Sequence, residues 1–382
     1  MIKVLTIVGT RPEAIKLAPV ILALKSRKHI QSVVCATGQH RQMLDQALNL
    51  FQITPDIDLN IMTAGQSLPE LTGNVITRVD AVLKETRPDL VLVQGDTTTV
   101  MASAMACFYN KIRVGHVEAG LRSHHRYSPF PEEMNRRVAS VLASYHFAPT
   151  QLAQAALLEE NIPEDSVFMT GNTVVDALRL MAEKTRKPYI DGLLNSCMIT
   201  GDAARKLILV TAHRRENFGR NFEQICHALK DIATRNENAV IVYPVHLNPN
   251  VQEPVFRILK DVERIILTAP LEYDGLIHLL SESHLVLTDS GGIQEEAPSF
   301  GKPVLVMRSE TERPEGITAG VARLVGPERE AIVYETEKLL RDESAYRKMA
   351  RAVNPYGDGR AAERIVTVIE ERLQKDIEKQ VL

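Results

Sequence analysis

Segment 284–296, which reads His-Leu-Val-Leu-Thr-Asp-Ser-Gly-Gly-Ile-Gln-Glu-Glu, decides the fold. It opens with an apolar run that lacks polar alternation, as expected for a parallel strand covered on both faces. A Ser-Gly-Gly turn and the start of a helix follow. The intervening stretches have the helical period, which is clearest in 219–235. This alternation predicts an α/β fold, formed twice along the chain. The other predicted strands are 2–8, 32–37, 89–94, 113–117, 145–148, 166–169, 207–211, 239–243, 264–267, 303–306 and 321–325.

The length of 382 residues is enough for two domains of ordinary size. Stretch 186–204 holds a proline and a glycine and no clear strand, so we place the boundary there. The first domain is expected over 1–185 and the second over 186–357. A charged C-terminal helix is expected in 358–382, packed back on the first domain.

The charge balance excludes one class of partner. Lys plus Arg total 45 against 48 Asp plus Glu, a net charge of -3, which argues against bulk electrostatic binding of nucleic acid. No signal peptide and no apolar run of membrane-spanning length are expected. The four cysteines form no CxxC pair, which indicates free thiols in a reducing compartment and no metal site.

Ligands of open α/β sheets bind at the carboxyl ends of strands, so the polar turns there are candidate sites. After strand 2–8, Arg11 and Lys16 are placed to reach an anion, although a solvated helix start would look the same. Of the glycine-rich dinucleotide fingerprint only Gly9 is present.

Three carboxylates of the first domain also follow strands or open helices. Asp96 ends a buried strand, where a helix N-cap turn is the more ordinary interpretation of an aspartate taken alone. Glu118 ends another strand, where a carboxylate is costly unless it is paired or functional. Glu132 lies in a Pro-Glu-Glu helix start that the helix dipole alone would favour.

The second domain carries the groups suited to phosphate. His213 stands beside two arginines after strand 207–211, and His246 occupies a related turn; both histidines could equally be structural. In the Ser-Gly-Gly turn, free N–H groups at a helix start would cradle phosphate oxygens, and Glu295 or Glu296 could bind ribose. A plain N-cap is the alternative. Arg308 and Arg313 add positive charge nearby.

Together these turns predict a cleft that binds a nucleotide diphosphate joined to a neutral group, which is the layout of a nucleotide-sugar enzyme. The motifs resemble those of the bacterial non-hydrolysing UDP-N-acetylglucosamine 2-epimerases over essentially the whole chain. The matching segments are Gly9–Lys16, Gly95–Thr98, His116–Arg122, Asp289–Glu296, Glu312–Glu315 and Asn354–Gly359.

The resemblance implies two Rossmann-like domains whose parallel sheets face each other across a cleft, the glycosyltransferase-B type. It also implies a homodimer without metal or nicotinamide cofactor, and the cysteine usage adds the expectation of a cytoplasmic location. Such an enzyme would interconvert UDP-N-acetylglucosamine and UDP-N-acetylmannosamine and supply activated N-acetylmannosamine for cell-surface polysaccharide.

The resemblance also carries residue roles to this sequence. The catalytic set would be Asp96, Glu118, Glu132 and His213, with Arg11 and Lys16 beside them on the sugar and diphosphate. The nucleotide would contact Ser290, Gly291, Gly292, Glu296 and Arg313, with uracil facing the stretch from Leu271 to Leu276. A second, activating UDP-N-acetylglucosamine would contact Gln39, His40, Gln42, Arg214 and His246, with Glu132 shared between the two sites. The alternative is that these are ordinary cleft-lining residues that aid domain closure.

The chemistry itself limits the mechanism. The C2 hydrogen of this sugar adjoins no carbonyl and is not acidic, and oxidising a neighbouring hydroxyl would need NAD, whose fingerprint is missing. Elimination of UDP to 2-acetamidoglucal and re-addition is the remaining route. The alternatives are a glycosyltransferase of the same fold, a hydrolysing epimerase and a nucleotide-sugar-binding regulator.

Overall fold

A computed structural model of the chain describes residues 1–38, 41–63, 65–197 and 205–381, with side chains for all of these except 41, 42 and 375–381. The described chain divides into two compact units. Unit 1 comprises Met1–Arg179 and Tyr356–Leu382, and unit 2 comprises Leu180–Pro355. The chain thus enters unit 2 earlier than the expected boundary at 186 and returns to unit 1 through Tyr356.

Unit 1 contains a seven-stranded sheet in the order β3-β2-β1-β4-β5-β6-β7, in which every neighbouring pair is parallel. Its strands are β1 (Ile2–Val8), β2 (Ile30–Ala36), β3 (Ile57–Asp58), β4 (Leu90–Gln94), β5 (Arg113–Val117), β6 (Tyr145–Ala148) and β7 (Val167–Met169). Its helices are α1 (Arg11–Lys25), α2 (Arg41–Leu50), α3 (Leu68–Thr86), α4 (Thr98–Tyr109), α5 (Glu132–Leu142), α6 (Gln151–Glu159) and α7 (Thr173–Ala182), which leads into unit 2.

Unit 2 contains a six-stranded parallel sheet in the order β10-β9-β8-β11-β12-β13. Its strands are β8 (Lys206–Thr211), β9 (Ala239–Pro244), β10 (Ile265–Thr268), β11 (Leu285–Thr288), β12 (Val304–Val306) and β13 (Ala322–Leu324). Its helices are α8 (Pro188–Ser196), α9 (Arg220–Arg235), α10 (Pro249–Leu259), α11 (Tyr273–Glu282), α12 (Gly291–Glu296), α13 (Pro314–Thr318), α14 (Arg329–Arg341) and α15 (Glu343–Ala350).

The prediction of two Rossmann-like parallel sheets is confirmed, because each strand order reverses once in the doubly wound manner. The fully apolar strands are those buried on both faces; Leu90–Gln94, for example, is buried along its whole length. Stretch 186–204 was predicted to lack a strand, and its described part forms helix α8 instead. Strand β3, which is only two residues long, has no counterpart among the strands predicted from the sequence.

Helix α16 (Ala361–Val381) completes unit 1 after the chain has returned from unit 2. Its backbone N–H groups at Ala361 and Ala362 donate to the buried Asp176 carboxylate at 3.2 and 2.9 Å. Arg27, which follows α1, pairs with Glu363 and, at 3.2 Å, with Glu370 of α16. The C-terminal helix is therefore attached to unit 1 by capping and ion pairs as well as by its apolar face. In the described part of the chain, no helix combines the length and apolar character needed to cross a membrane.

Candidate functional site

The strand orders place the candidate turns at the point where each sheet reverses direction. In unit 1 the reversal lies between β1 and β4, and in unit 2 it lies between β8 and β11. Turns that leave such neighbouring strands splay apart and form the usual ligand-binding crevice of a doubly wound sheet. The turns beginning at Gly9 and Gly95 meet this condition in unit 1, as do those after Thr211 and Thr288 in unit 2.

A buried glutamate organises the first turn of unit 1. Glu13 lies in the opening turn of α1, where its carboxylate accepts from the Gly9 N–H at 2.6 Å and the Thr10 hydroxyl at 3.0 Å. Burial raises the pKa of the Glu13 carboxyl to about 7, although hydrogen bonds from Thr97, Gly9 and Thr10 favour the ionised form. Because Thr97 belongs to the turn after β4, Glu13 joins the two turns at the reversal point.

Glu118 lies at the centre of the candidate site in unit 1. Its Oε2 accepts from Lys16 Nζ at 2.5 Å and from Gln94 Nε2 at 2.9 Å. These contacts bring together the ends of β4 and β5 with helix α1. Glu118 has a φ of 63°, the left-handed region that costs a non-glycine residue about 1–3 kcal/mol. Such strain is typical of residues whose orientation matters to function.

Asp96 extends this cluster toward α5. Its carboxylate pairs with Arg136 Nη2 at 2.5 Å, and its backbone carbonyl accepts from Asn135 Nδ2 at 3.0 Å. Asp96 therefore is not the N-cap of α4; that position belongs to Thr97, whose hydroxyl accepts from the Val100 N–H. Arg136 holds the Asp96 carboxylate in one orientation. The Asp96 side chain remains 29% exposed.

The two glutamates that open α5 have different roles. Glu133 is buried and accepts from the backbone N–H groups of Ser123 and His124 at 2.9 and 3.3 Å, so it fixes the preceding loop. Glu132 is half-buried, and within residues 1–38, 41–63, 65–197 and 205–381 its side chain has no hydrogen-bond or ion-pair partner. Of the two, Glu132 is the carboxylate available for chemistry.

His116, which lies in one of the matching motif segments of the first domain, has a structural role. Its ring is fully buried, and Nε2 lies 2.7 Å from the carbonyl oxygen of Gly95. Burial lowers the pKa of His116 to about 3, so the imidazole is neutral at physiological pH. It supports the turn that carries Asp96.

Asp289 joins the two candidate turns of unit 2. This fully buried carboxylate accepts from the backbone N–H groups of His213 and Arg214 at 2.9 and 2.8 Å and from Asn217 Nδ2 at 3.2 Å. One residue earlier, the hydroxyls of Thr211 and Thr288 lie 2.6 Å apart. The ends of β8 and β11 are thus held together at the reversal point of the sheet.

His213 and His246 come from neighbouring turns and stack on one another. Their ring centroids are 5.2 Å apart and their planes differ by 15°. Burial lowers the pKa of His213, and the nearby charges of His246 and Arg214 lower it further, while Asp289 acts in the opposite direction. The two histidines that the sequence placed in related turns are therefore direct neighbours.

The glycine pair at the start of α12 places no side chain over the backbone of that turn. Neither Gly291 nor Gly292 has a positive φ, and a Cβ would come no closer than 3.6 Å to a neighbour at Gly291 and 3.9 Å at Gly292. The fold of the described residues thus does not itself require glycine here. Hydrogen in place of a side chain lets a ligand approach the N–H groups closely, which suits phosphate.

Arginines surround this turn. The nearest atoms to a Cβ on Gly291 would include Arg214 Nη2 at 3.6 Å and Arg313 Nη2 at 4.0 Å. Arg313 is oriented by an ion pair with the buried Glu295. Glu296, the other candidate for ribose, accepts instead from the Tyr273 hydroxyl at 3.3 Å.

Arg308 forms ion pairs with two glutamates near the Ser-Gly-Gly turn. It lies 2.5 Å from Glu216 and 3.3 Å from Glu312. Burial alone would raise the pKa of Glu312, but Arg308, Arg214 and Arg313 outweigh it and the pKa is lowered. The positive charge near Gly291 is therefore partly balanced before any ligand binds.

The structure describes only some of the remaining predicted residues. Leu271 and Leu276 are half-buried and flank in sequence Tyr273, whose hydroxyl donates to Glu296. Gln39 and His40 lie outside the described residues, and the side chain of Gln42 is not described. No group of His, Cys, Asp and Glu in the described part of the chain has the arrangement of a metal site.

Sequence reasoning missed the residues that hold the turns together. Glu13 stands three residues after Thr10, which is the spacing of a helix capping box, and that signal was available. Asp289 ends a buried strand just as Glu118 does, so the argument applied to Glu118 would have singled it out. Arg136 gave no such signal, because its partner Asp96 is distant in sequence.

Chemically, unit 1 offers carboxylates for proton transfer next to a lysine, whereas unit 2 offers N–H groups, arginines and a histidine for an anionic group.

Comparison with known proteins agrees with this chemistry. A sequence profile described as UDP-N-acetylglucosamine 2-epimerase matches residues 22–370. A protein of that name from Escherichia coli strain K12 is 54% identical over 370 residues, covering 96% of this chain and 98% of the relative.

Solved structures give the same result. The UDP-GlcNAc 2-epimerase of Neisseria meningitidis bound to UDP-GlcNAc has a TM-score of 0.87 and 50% identity, covering 97% of this chain and 100% of that one. The Methanocaldococcus jannaschii UDP-GlcNAc 2-epimerase in complex with UDP-GlcNAc and UDP has a TM-score of 0.77 and 34% identity, with coverage of 97% and 100%.

Proposed function

We propose that this chain, which belongs to the UDP-N-acetylglucosamine 2-epimerase family, catalyses the reversible inversion of C2 between UDP-N-acetylglucosamine and UDP-N-acetylmannosamine. The observation that carries the proposal is the 54% identity to a named epimerase over 96% of this chain and 98% of the relative. The clustered carboxylates at the reversal point of unit 1 support it, because a nucleotide-sugar transferase does not by itself need several proton-transfer groups.

The reaction is proposed to proceed by anti elimination and re-addition. A carboxylate of unit 1 removes the C2 proton while the C1–O bond to the diphosphate breaks, giving UDP and 2-acetamidoglucal with a C1–C2 double bond. UDP then re-adds at C1 while C2 takes a proton on the opposite face. The reaction therefore needs a base on one face of C2 and an acid on the other. Asp96, Glu118 and Glu132 are the proposed groups.

Lys16 and Arg11 are proposed to stabilise the charge that develops on the departing diphosphate. Lys16 is fixed by Glu118, so its ammonium group is oriented before substrate binds. A preoriented charge requires little reorganisation in the transition state, which is where such groups contribute most.

Unit 2 is proposed to bind the UDP moiety. The Ser290 hydroxyl, the N–H groups of Gly291 and Gly292 and the Arg313 guanidinium would contact phosphate, and Glu296 would accept from the ribose hydroxyls. His213 would contact the diphosphate or transfer a proton. Leu271 and Leu276 flank Tyr273, the residue that hydrogen-bonds Glu296, which supports a place for uracil beside the ribose.

The test is nuclear magnetic resonance of the purified protein with UDP-N-acetylglucosamine alone in D2O. Elimination and re-addition expose C2 to solvent, so both epimers should appear and both should carry deuterium at C2. Epimerisation with the original hydrogen retained at C2 would contradict elimination. No epimer at all would contradict the activity.

The same experiment separates the alternatives. A glycosyltransferase would leave UDP-N-acetylglucosamine unchanged until an acceptor is supplied, and a hydrolysing epimerase would release free N-acetylmannosamine and UDP. A binding protein without activity would shift the ligand resonances without new products. Only the proposed enzyme yields UDP-N-acetylmannosamine from one substrate.

Its assembly and location are proposed on separate grounds. We expect a homodimer, which light scattering would detect as twice the 42.6 kDa of the chain. A monomer at assay concentration would contradict this. A cytoplasmic location is supported by four free, buried cysteines, which suit a reducing compartment. There the product would feed cell-surface polysaccharide synthesis.

A second, activating UDP-N-acetylglucosamine is proposed to bind Arg214 and His246 together with Gln39, His40 and Gln42. The support is the stacking of His246 on His213 and the position of Arg214 beside Gly291. Forward kinetics should be sigmoidal, and His246→Ala should lose the activation. Hyperbolic kinetics with full reverse activity on pure UDP-N-acetylmannosamine would contradict a second site.

A further inference from the structure

Asp289 has an unusual set of partners for a buried acid. Its side chain is fully buried, and among the described residues no lysine or arginine pairs with it. Instead it accepts two backbone N–H groups and one side-chain amide, all from the turn 213–217. A buried carboxylate is costly unless its oxygens are satisfied, so these donors explain how it is tolerated.

We propose that Asp289 is a positioning residue that fixes the 213–217 turn against the Ser-Gly-Gly turn, so that His213 is presented together with the N–H groups of Gly291 and Gly292. This inference rests on the proposed UDP site of unit 2. Asp289 itself precedes Ser290, the N-cap of α12, and bonds to the neighbouring turn. One side chain therefore sets the separation of the two groups of phosphate contacts.

Further hydrogen bonds hold the 213–217 turn on either side of its contacts with Asp289. Asn217, which donates to Asp289, also donates to the Met307 carbonyl at 3.1 Å, just after β12. The Tyr243 hydroxyl donates to the Ala212 carbonyl at 2.7 Å from the side of β9. The turn that carries His213 is thus held from three neighbouring strand ends, with Asp289 as the acceptor in the middle.

The charge of Asp289 has a second effect. His213 Nδ1 lies 3.9 Å from Asp289 Oδ1, and the other charged groups that face His213 are His246 and Arg214. Burial, His246 and Arg214 all lower the pKa of His213, whereas Asp289 raises it. Asp289 therefore partly offsets the lowering of the His213 pKa, which an uncharged side chain in its place would not do.

The experiment compares Asp289→Asn with Asp176→Asn. Both substitutions remove the charge of a buried aspartate that accepts backbone N–H groups, but Asp176 serves the start of α16 in unit 1. Three quantities are measured on the full chain: the affinity for UDP by calorimetry, the titration midpoint of His213 by NMR, and the melting temperature. None of them requires turnover, so failure here is distinct from failure of the proposed epimerase activity.

In Asp289→Asn, UDP affinity should fall about tenfold or more, because small displacements of the groups that contact phosphate weaken binding strongly. The His213 midpoint should fall by about one pH unit, the usual effect of losing an adjacent opposite charge. Asp176→Asn should lower the melting temperature without changing either quantity. A folded Asp289→Asn protein with wild-type UDP affinity and an unmoved His213 midpoint would overturn the proposal.

Should Asp289→Asn not fold, Asn217→Ala gives the decisive measurement. It removes one donor to Asp289 but keeps the carboxylate. UDP affinity should then fall while the His213 midpoint stays, because the 213–217 turn is held less tightly and the charge is retained. Unchanged UDP affinity in Asn217→Ala would overturn the positioning role.

Discussion

The buried glutamate of the first turn leads to a prediction about stability and pH. Glu13 is enclosed by the protein, and burial raises the pKa of its carboxyl from 4.5 to about 7. At 1.36 kcal/mol for each pKa unit, the ionised form costs the folded state about 3 kcal/mol. Glu13→Gln keeps the shape and most of the hydrogen bonds but removes the ionisation.

The sign follows from the two protonation states. Below pH 4.5 the carboxyl is protonated whether the chain is folded or not, so Glu13 adds no pH dependence. Between pH 4.5 and 7 the unfolded chain releases the proton first, and wild-type stability falls as the pH rises. Above pH 7 both states are ionised and the full cost remains. About 2.5 kcal/mol of it should accrue between pH 5 and pH 8.

The assay is urea unfolding of wild type and Glu13→Gln at several pH values, with the difference between the two proteins taken at each pH so that all other titrating groups cancel. Relative to wild type, the variant should gain about 2.5 kcal/mol between pH 5 and pH 8. Glu70→Gln is the matched control, because Glu70 likewise accepts from a hydroxyl and a backbone N–H at a helix start, but it is exposed and its pKa is lowered by Ser67. Its difference should stay constant over this range. A constant difference for Glu13→Gln would refute the reasoning.

Three further outcomes are expected at the site. Asp96→Asn, Glu118→Gln and Glu132→Gln should each lower kcat about 100-fold or more with the fold intact by circular dichroism, and near wild-type kcat in all three would show that the site is misplaced. Gly292→Ala should keep its melting temperature but bind UDP about tenfold more weakly by calorimetry, because only the ligand needs the space. Gly9→Ala should instead lose about 1–3 kcal/mol of stability, since its Cβ would lie 2.7 Å from two threonine hydroxyls; a melting temperature equal to that of wild type would contradict this packing.

The strands were predictable because parallel strands covered on both faces are continuous apolar runs. Twelve of them could be recognised from this pattern alone. The exception, Ile57–Asp58, pairs with only two residues of β2 at the sheet edge, so its sequence carries almost no apolar signal. Helix α8 was missed for a related reason, because it follows a proline in a stretch read only as a linker.

At the site, the sequence indicated which turns carry chemistry but not which residues hold them. Glu118 could be selected as a carboxylate at a strand end, yet its pairing with Lys16 joins residues 102 positions apart. The same applies to Arg136 on Asp96 and to Asp289 on the 213–217 turn. Such contacts depend on strand order, and no local pattern encodes the order in which strands assemble.

The return of the chain to unit 1 affects the order of synthesis. Unit 2 is complete once Pro355 has left the ribosome, but unit 1 still lacks α16 at that moment. At about 5–20 residues per second, unit 1 waits roughly ten to thirty-five seconds between its residue Arg179 and its return at Tyr356. During that time Asp176 is without its α16 donors, and the surface that Ile365, Val366 and Ile369 will cover is open. Unit 1, although its synthesis begins first, is therefore completed after unit 2.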